Sequence, residues 1–310
     1  MRDPRNAFAE KLVALGKHNQ KIYALSCDSA SGGGLSPFFA AYPERSVEIG
    51  ISEQNAVSIA AAMSRENLIP VLVIINPFLT MRAFEQIRDD LGYVHSNVKV
   101  VGSGGGLAYS TLGATHIAVE DISLMRTIPN LTILAPGDAD EVEFALEQAI
   151  AIDGPVYIRM PRQKRNEPCP VSERSLVLGR GEVFGSGNRA CIFTYGPSLE
   201  QAIGAQKLLS NSGISIRVVN LTTVKPLDEA CVLEHAAAVD YVFTLEEQIA
   251  TGGLTDAVAR TMLVGGVSKP FCAFTVTEGC KQTGPYEALL DFYGLSAEKV
   301  AEKIKQQLSR

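Results

Sequence analysis

The chain has 310 residues, a length that predicts two domains at about 150 residues each. Its 28 Lys and Arg side chains against 34 Asp and Glu give a formal net charge of −6, which excludes the basic surface typical of a nucleic-acid-binding protein. The longest apolar run, residues 68–79, contains two prolines and is shorter than the roughly 20 residues of a transmembrane helix. The N-terminus lacks the apolar core of a signal peptide, so we expect a cytoplasmic protein without membrane contact.

Short β-rich runs alternate with helical runs along the first half of the chain, a pattern typical of a parallel, doubly wound sheet. The apolar run 70–75 is typical of a strand buried on both faces. Ser52 is placed to cap the predicted helix 53–65. In chain order, the predicted elements are helix 6–18, strand 22–27, strand 46–51, helix 53–65, strand 70–75, helix 83–92, strand 98–102, helix 117–128, strand 132–135, helix 138–152 and strand 156–160.

Residues 163–184 interrupt this alternation with prolines and basic residues, and we interpret them as a linker. A second alternating unit follows them. Its predicted elements are strand 190–194, helix 198–210, strand 215–220, helix 228–237, strand 241–245, helix 254–263, strand 271–275 and helix 297–308. The predicted fold class is therefore α/β, with two doubly wound three-layer α/β/α domains at residues 1–162 and 185–310.

Two glycine-rich loops, residues 32–34 and 104–106, follow predicted strands. They are thus placed at strand carboxyl ends, where open α/β sheets bind ligands. Neither continues as G-x-G-x-x-G and the chain has no G-x-x-x-x-G-K-[ST], so a nucleotide-binding dehydrogenase gains little support. Plain turns between strand and helix remain the alternative interpretation.

Two titratable residues are placed near the same predicted carboxyl ends of the strands. Glu53 opens a helix directly after a strand, where it either faces a ligand or partner subunit or simply complements the helix dipole. His116 follows a glycine-rich loop, where it is either a proton carrier or a structural residue. Phe78, Met81 and Phe84 recur at i, i+3 and i+6, which predicts either one core-facing side of a helix or an apolar platform for a flat heterocycle.

Taken together, five segments resemble the C-terminal half of transketolases, and their order and spacing carry the resemblance over nearly the whole chain. These segments are residues 48–63 (EIGISEQNAVSIAAAM), 78–88 (FLTMRAFEQIR), 113–120 (GATHIAVE), 222–228 (TTVKPLD) and 246–254 (EEQIATGGL). The resemblance implies a pyrimidine-binding domain followed by a transketolase C-terminal domain, with thiamine diphosphate as the cofactor.

The resemblance also implies roles for single residues. Glu53 is expected to be catalytic and to hydrogen-bond N1′ of the cofactor's aminopyrimidine, which activates the thiazolium. Phe78, Met81 and Phe84 are expected to form the ring pocket, and Asp28 to lie near the thiazolium. His116 is expected to contact a hydroxyl of the ketose donor and to assist proton transfer.

Substrate binding is expected to use Arg5 and Arg162, which fall where the family places arginines for the substrate phosphate, with Ser31 as a further candidate. Gly104 and Leu112 occupy positions where the family commonly has a His and an Asp that read sugar hydroxyls. This departure predicts a substrate other than the usual pentose and hexose phosphates. The sequence leaves open whether a phosphate, a sulfonate or neither is recognised.

The family's diphosphate-binding domain, with its G-D-G…N magnesium motif, has no counterpart in this sequence. We therefore expect a separate partner subunit that carries the diphosphate site and the Mg²⁺ ligands, with no metal ligands on this chain, in an α2β2 heterotetramer. The expected reaction is transfer of a two-carbon ketol unit between a ketose phosphate and an aldose.

Three alternatives remain beside this reading. The first is the β subunit of a 2-oxo-acid dehydrogenase E1 component. The second is a 1-deoxyxylulose-phosphate-synthase-like activity, and the third is a non-catalytic regulatory module with the same fold.

Overall fold

The computed structural model describes residues 2–164, 174–277 and 282–309 of the chain. Within these ranges, a seven-stranded sheet has the order β10-β5-β6-β4-β3-β1-β2, with strands numbered along the chain. Its neighbouring strands are parallel except β10, which pairs with β5 in the antiparallel direction. The strands are β1 (Ile22–Ser26), β2 (Ser46–Glu48), β3 (Ile69–Ile75), β4 (Lys99–Ser103), β5 (Thr132–Leu134), β6 (Val156–Met160) and β10 (Thr223–Lys225).

Helices cover both faces of this first sheet. One apolar cluster packs α1, α2 and α6 against one face, and another packs α3 and α5 against the other. Six of the seven residues of β3 are buried, as expected for a strand that is covered on both sides. The helices are α1 (Pro4–His18), α2 (Ser36–Ala41), α3 (Glu53–Arg65), α4 (Phe84–Gln86), α5 (Asp121–Arg126) and α6 (Ala139–Ala151).

A second sheet, with five strands among the described residues, has the order β12-β11-β8-β9-β7. Its only antiparallel pair among these is β7 with β9. The strands are β7 (Glu182–Phe184), β8 (Ala190–Thr194), β9 (Ile216–Asn220), β11 (Tyr241–Ile249) and β12 (Phe271–Val276). The helices on its two faces are α7 (Ser198–Ser210), α8 (Glu229–Ala237), α9 (Leu254–Val264), α10 (Tyr286–Phe292) and α11 (Ala297–Leu308). The predicted α/β class with two three-layer units is therefore confirmed.

The two sheets share one apolar core. A single cluster of buried residues runs from Leu72 and Val100 of the first sheet to Phe193 and Val242 of the second. Strand β10 also belongs to the first sheet although it lies in the second half of the sequence. The two halves are therefore joined through packed side chains and backbone hydrogen bonds as well as through the chain itself.

Several predicted elements differ from the structure. The helix predicted over 117–128 is helical only in α5, because residues 118 and 119 use their backbone groups elsewhere. Ala118 bridges Gly106, and the carbonyl of Val119 accepts a hydrogen bond from Ile249 at 2.8 Å. Four elements have no counterpart among the predicted ones: α2, β7, β10 and α10. Strand β7 lies within the predicted linker, and residues 165–173 of that linker lie outside the described residues.

None of the helices that the structure describes is long and apolar enough to cross a membrane. The carboxyl ends of β1, β3 and β4 gather at one edge of the first sheet, because these neighbouring strands are parallel. That edge is where the residues singled out from the sequence are found, and it positions the candidate site.

Candidate functional site

A cavity of about 290 Å³ opens at this edge, between the ends of β1 and β3 and the first turn of α3. Its walls combine apolar side chains with one buried carboxylate. The lining residues are Cys27, Asp28, Ser29, Ile51, Glu53, Ile74, Ile75, Phe78 and Arg82. Three of the residues predicted for cofactor binding, Asp28, Glu53 and Phe78, therefore meet in one cavity.

Glu53 is the first residue of α3 and is only 4% exposed. Its Oε1 accepts a hydrogen bond from Arg82 Nη1 at 2.8 Å. The predicted cap of this helix is wrong in detail, because Ser52 precedes α3 without making a side-chain cap hydrogen bond. Its backbone angles, φ −156° and ψ 58°, depart from the extended geometry of a capping residue. The carboxylate is thus placed in the cavity wall by the start of the helix.

The end of β1 contributes the polar rim of the cavity. Asp28 adopts a left-handed backbone with φ 54°, and its amide donates to Glu48 Oε1 at 2.6 Å. Gly50 donates to the same oxygen at 3.1 Å. Partial burial opposes ionisation of Glu48, but these backbone donors outweigh it and lower the pKa of the carboxyl group. Burial raises the pKa of the neighbouring Cys27 thiol to about 11, so this thiol stays protonated at neutral pH.

The aromatic segment after β3 is helical but irregular. Residues Phe78–Arg82 and Ile87–Tyr93 form π-helical turns on either side of the short α4. Arg82 lies over Phe78, which precedes it by four residues, with the guanidinium carbon 4.3 Å from the ring centroid. The spacing i, i+3, i+6 does not keep one face under such winding. Met81 is accordingly 38% exposed and Phe84 packs against the core, and neither lines the cavity.

His116 lies beside the cavity rather than in its wall. Its ring meets Phe78 edge-on with centroids 5.2 Å apart, and its Nδ1 is 2.9 Å from Thr115 Oγ1. This contact leaves Nε2 as the nitrogen available to a substrate. A residue that the sequence analysis did not single out, Tyr109, contacts the same imidazole with centroids 5.9 Å apart.

Tyr109 connects His116 to Arg162, one of the basic residues predicted for substrate binding. Arg162 Nη1 donates to the Tyr109 hydroxyl at 2.9 Å, and its guanidinium carbon is 4.6 Å from the ring centroid. Arg5 instead pairs with Asp3 at two points, through Nε at 3.2 Å and Nη2 at 2.9 Å. Ser31 is exposed in the loop after β1 and lies outside the cavity lining.

The loop that carries Tyr109 and His116 is held in place by the second sheet. Glu247 of β11 is 1% exposed, and its Oε2 accepts from the Leu107 amide at 3.0 Å. Its other oxygen accepts a hydrogen bond from the Tyr286 hydroxyl. The carbonyl of Glu247 accepts from Arg159 at 2.9 Å, and Arg159 in turn forms a buried ion pair with Asp121 at 2.8 Å. These contacts explain the structural role of Glu247, one of the two glutamates in residues 246–254.

The other glutamate of that segment, Glu246, has a local role. Its two oxygens accept from the backbone amides of Leu254 and Thr255, each at 2.8 Å. These amides belong to the first turn of α9 and have no acceptor within the helix. Glu246 therefore stabilises the start of α9, whereas Glu247 reaches across to the loop that carries Tyr109 and His116.

The donor set of the cavity suits a flat, nitrogen-containing heterocycle. Phe78 offers a ring face, Ile51 and Ile74 offer apolar contacts, and Glu53 offers a single carboxylate for a ring nitrogen. Across the described ranges, no group of three or more His, Cys, Asp or Glu side chains is arranged to hold a metal ion. The residues present therefore fit the heterocyclic part of a cofactor rather than a cation.

Two protein-family models match the chain. The model for the transketolase pyrimidine binding domain matches residues 1–167, and the model for the transketolase C-terminal domain matches residues 179–300. Together they account for most of the sequence.

Similar proteins fall into two groups by length. A protein of Methanocaldococcus jannaschii named "Putative transketolase C-terminal section" is 30% identical over 311 residues, covering 99% of this chain and 96% of that protein. A 1-deoxy-D-xylulose-5-phosphate synthase of Dictyoglomus thermophilum is 34% identical, covering 96% of this chain but 48% of the synthase. The chain thus spans about half the length of its synthase relatives.

Solved structures divide in the same way. A structure titled "Split gene transketolase, inactive beta4 tetramer" superposes with a TM-score of 0.91 at 34% identity, covering 100% of this chain and 99% of that one. The transketolase of Campylobacter jejuni superposes with a TM-score of 0.81 at 17% identity, and 46% of that chain is covered. At that identity, the second similarity concerns the fold alone.

Proposed function

Since the chain belongs to the transketolase family, of which it comprises the pyrimidine-binding and C-terminal domains, we propose that it is one subunit of a thiamine diphosphate-dependent transketolase. The proposed reaction transfers a two-carbon ketol unit from a ketose, with or without a phosphate, to an aldose acceptor. The observation that carries this proposal is the meeting of the Glu53 carboxylate and the Phe78 ring in one apolar cavity at the carboxyl edge of the sheet.

Glu53 and Phe78 would hold the aminopyrimidine ring of the cofactor. Glu53 is 4% exposed, so water competes little for its carboxylate, and a hydrogen bond to a ring nitrogen is correspondingly strong. Phe78 supplies a stacking face, and Asp28 lies on the rim toward the rest of the cofactor. When bound, thiamine diphosphate supplies the electron sink for cleavage and formation of the carbon–carbon bond.

His116 would act on the substrate. Its ring touches Phe78, so it lies next to the place proposed for the cofactor, and its Nε2 is left available by the contact between Nδ1 and Thr115. An imidazole there can orient a donor hydroxyl and exchange a proton with it. Arg5 and Arg162 would bind an anionic end of the sugar, since guanidinium groups recognise phosphate oxygens in a defined geometry.

A separate subunit would supply the diphosphate site and the Mg²⁺ ligands, in an α2β2 assembly. Support comes from the names of two similar proteins. The Methanocaldococcus protein is named as a section of a transketolase, and the similar solved structure is titled as an inactive beta4 tetramer. By analogy with that structure, this chain alone would assemble without activity.

The test is reconstitution of the chain with a subunit that carries the diphosphate-binding domain, in the presence of thiamine diphosphate and Mg²⁺. We expect ketol transfer only from the complex. Glu53→Gln is expected to lower kcat at least about 100-fold while size-exclusion chromatography shows an intact complex, because the ring nitrogen loses its charged partner. Arg65→Gln, at the far end of the same helix, is the matched control and should keep the parent rate. Full activity of the Glu53 variant, or of the isolated chain, contradicts the proposal.

A second candidate is a synthase that uses pyruvate as the donor, because relatives at 34% identity carry the name 1-deoxy-D-xylulose-5-phosphate synthase. Supplying the complex with pyruvate and glyceraldehyde 3-phosphate separates the two reactions. Release of carbon dioxide together with formation of a ketose phosphate from pyruvate and glyceraldehyde 3-phosphate would identify the synthase, whereas ketol transfer from a ketose phosphate without carbon dioxide would identify the transketolase. Decarboxylation of a 2-oxo acid with transfer to a lipoyl acceptor would instead identify an E1 component.

A further inference from the structure

Tyr109 occupies a central place in the site although no motif contains it. The side chain lies between the imidazole of His116 and the guanidinium of Arg162, and the residue is 9% exposed. Phe78, His116 and Tyr109 therefore form a row of three rings that leads from the cavity to Arg162. A substrate that spanned the distance from the proposed cofactor to Arg162 would lie beside this row.

Gly104 explains how the ring fits. The glycine has φ 81°, and a Cβ placed on it would lie 2.2 Å from Cε2 of Tyr109. No side chain can be added at position 104 without displacing the ring, because a separation below 3.0 Å between such atoms is not tolerated. Tyr109 thus fills the space beside position 104, where the resemblance described above leads one to expect a polar side chain. Leu112, the other departure from that pattern, is 54% exposed on the same loop.

We infer that Tyr109 is a specificity-determining residue. Its ring forms an apolar wall in place of polar side chains that would hydrogen-bond the sugar hydroxyls. Its hydroxyl group donates a hydrogen bond to the anionic end of the substrate. This inference rests on the proposed function and deepens it by naming the substrate class. The preferred acceptor is a short phosphorylated aldehyde, with few hydroxyls between its carbonyl carbon and its phosphate.

The chemistry of the Tyr109 hydroxyl supports the second half of this role. Its oxygen accepts the hydrogen bond from Arg162 at 2.9 Å, so its own proton remains available for donation. An oxyanion placed beside Arg162 would accept from both groups at once. The ring face packs on carbon atoms but offers no acceptor or donor to a sugar hydroxyl along the chain.

Equilibrium binding of sn-glycerol 3-phosphate to the 310-residue chain tests the donor role of Tyr109 without any partner subunit. We expect Tyr109→Phe to weaken binding about tenfold or more, because it deletes one hydrogen bond to a charged group and keeps the ring. Tyr93→Phe is the matched control, since Arg88 donates to the Tyr93 hydroxyl at 3.1 Å in an exposed pair of the same kind. Equal affinity of the Tyr109 variant and the parent, or a parent that binds glycerol as well as glycerol phosphate, overturns the inference.

Ketol transfer by the reconstituted complex tests whether the Tyr109 ring decides which acceptor is preferred. The parent is expected to favour glyceraldehyde 3-phosphate over ribose 5-phosphate as acceptor, and Tyr109→Leu is expected to reduce this ratio of kcat/KM values about tenfold by opening the space beside Gly104. An unchanged ratio in an active variant overturns the inference. A parent complex that transfers no ketol unit at all contradicts the proposed function instead, and the glycerol phosphate measurement still decides the role of Tyr109.

Discussion

At the residue scale, the contact between Glu53 and Arg82 resembles the contact proposed between Glu53 and the cofactor. The Arg82 guanidinium is planar, carries a delocalised positive charge, lies over the Phe78 ring at 4.3 Å and donates to Glu53 at 2.8 Å. An aminopyrimidine would use the same ring face and the same carboxylate. If the heterocycle binds as proposed, the guanidinium would compete with it for one place, and Arg82 would have to move when the ring enters.

This competition predicts that Arg82→Ala tightens cofactor binding. The Arg82 side chain is 42% exposed, so its ion pair with Glu53 contributes less than about 1 kcal/mol, and the expected gain in affinity is about two- to fivefold. Titration of thiamine diphosphate into the reconstituted complex measures it.

Arg88→Ala serves as the control for this substitution. Arg88 lies in the same helical segment, is 45% exposed and pairs with Asp89 at 2.5 Å, away from Glu53. The Arg88→Ala variant should bind the cofactor as tightly as the parent. Weaker binding by the Arg82 variant would show instead that the arginine is a ligand of the bound cofactor.

At the element scale, the loop of residues 104–116 depends on an element from the other half of the chain. Strand β11 supplies Glu247, and the Leu107 amide of the loop has its acceptor there at 3.0 Å. The loop is also held within the first half of the chain, by the hydrogen bond from the Gly104 amide to Met160, by turns at residues 109–112 and 113–116, and by the bridge between Gly106 and Ala118. The Glu247 contact is thus one of several that place Tyr109 and His116, and it is one that requires the second sheet to be folded against the first.

Glu247→Ala is expected to lower the free energy of unfolding by about 2 to 3 kcal/mol, because it leaves the buried Leu107 amide without its acceptor and opens a cavity. Urea denaturation followed by far-UV circular dichroism measures the loss. Ketol transfer by the complex should fall as well, since the loop carries His116. Glu302→Ala, on the exposed side of α11, should change neither quantity, and a Glu247 variant as stable and active as that control would refute the proposed link.

At the scale of the whole molecule, we expect the two halves to unfold as one cooperative unit. Besides the shared apolar core, Arg174 joins them through three carboxylates: its Nη1 pairs with Asp138 at 2.6 Å, its Nη2 pairs with Glu182 at 2.7 Å, and it also contacts Glu141. Asp138 and Glu141 belong to the start of α6, whereas Glu182 belongs to β7 of the second sheet. The Arg174 side chain is 1% exposed, so water cannot replace these contacts.

Arg174→Met should lower the free energy of unfolding by about 3 to 5 kcal/mol, because it leaves buried carboxylates without their cation. We expect a single urea transition for the parent, with tyrosine fluorescence and circular dichroism coinciding, since the core runs through both halves. Arg189→Met is the comparison: its pair with Asp240 at 3.1 Å is more than half exposed on both sides and should be worth less than about 1 kcal/mol. Similar losses for the two variants would argue against the buried cluster as a tie between the halves.

Much of this protein was determined by local patterns in its sequence. Alternation of β-rich runs with helical runs predicted α3, α7, β8 and α11 with their observed ends. Each of these elements buries one face or both, which gives its apolar residues a regular period. Glu53 and Phe78 were identified as a pair because the segments that contain them resemble those of one family. The predicted domain boundaries, and the roles predicted for individual site residues, stay predictions.

Other features were decided only by the tertiary structure. Arg82 reaches Glu53, which is 29 residues away in the sequence, because the segment after β3 packs against the first turn of α3, and no local period predicts this contact. Strand β10 joins the first sheet, and Tyr109 fits beside Gly104, through contacts between residues that are distant in the sequence or unremarkable in it. The sequence thus determined which chemical groups the protein has at one edge of a sheet, whereas long-range packing decided which of them touch.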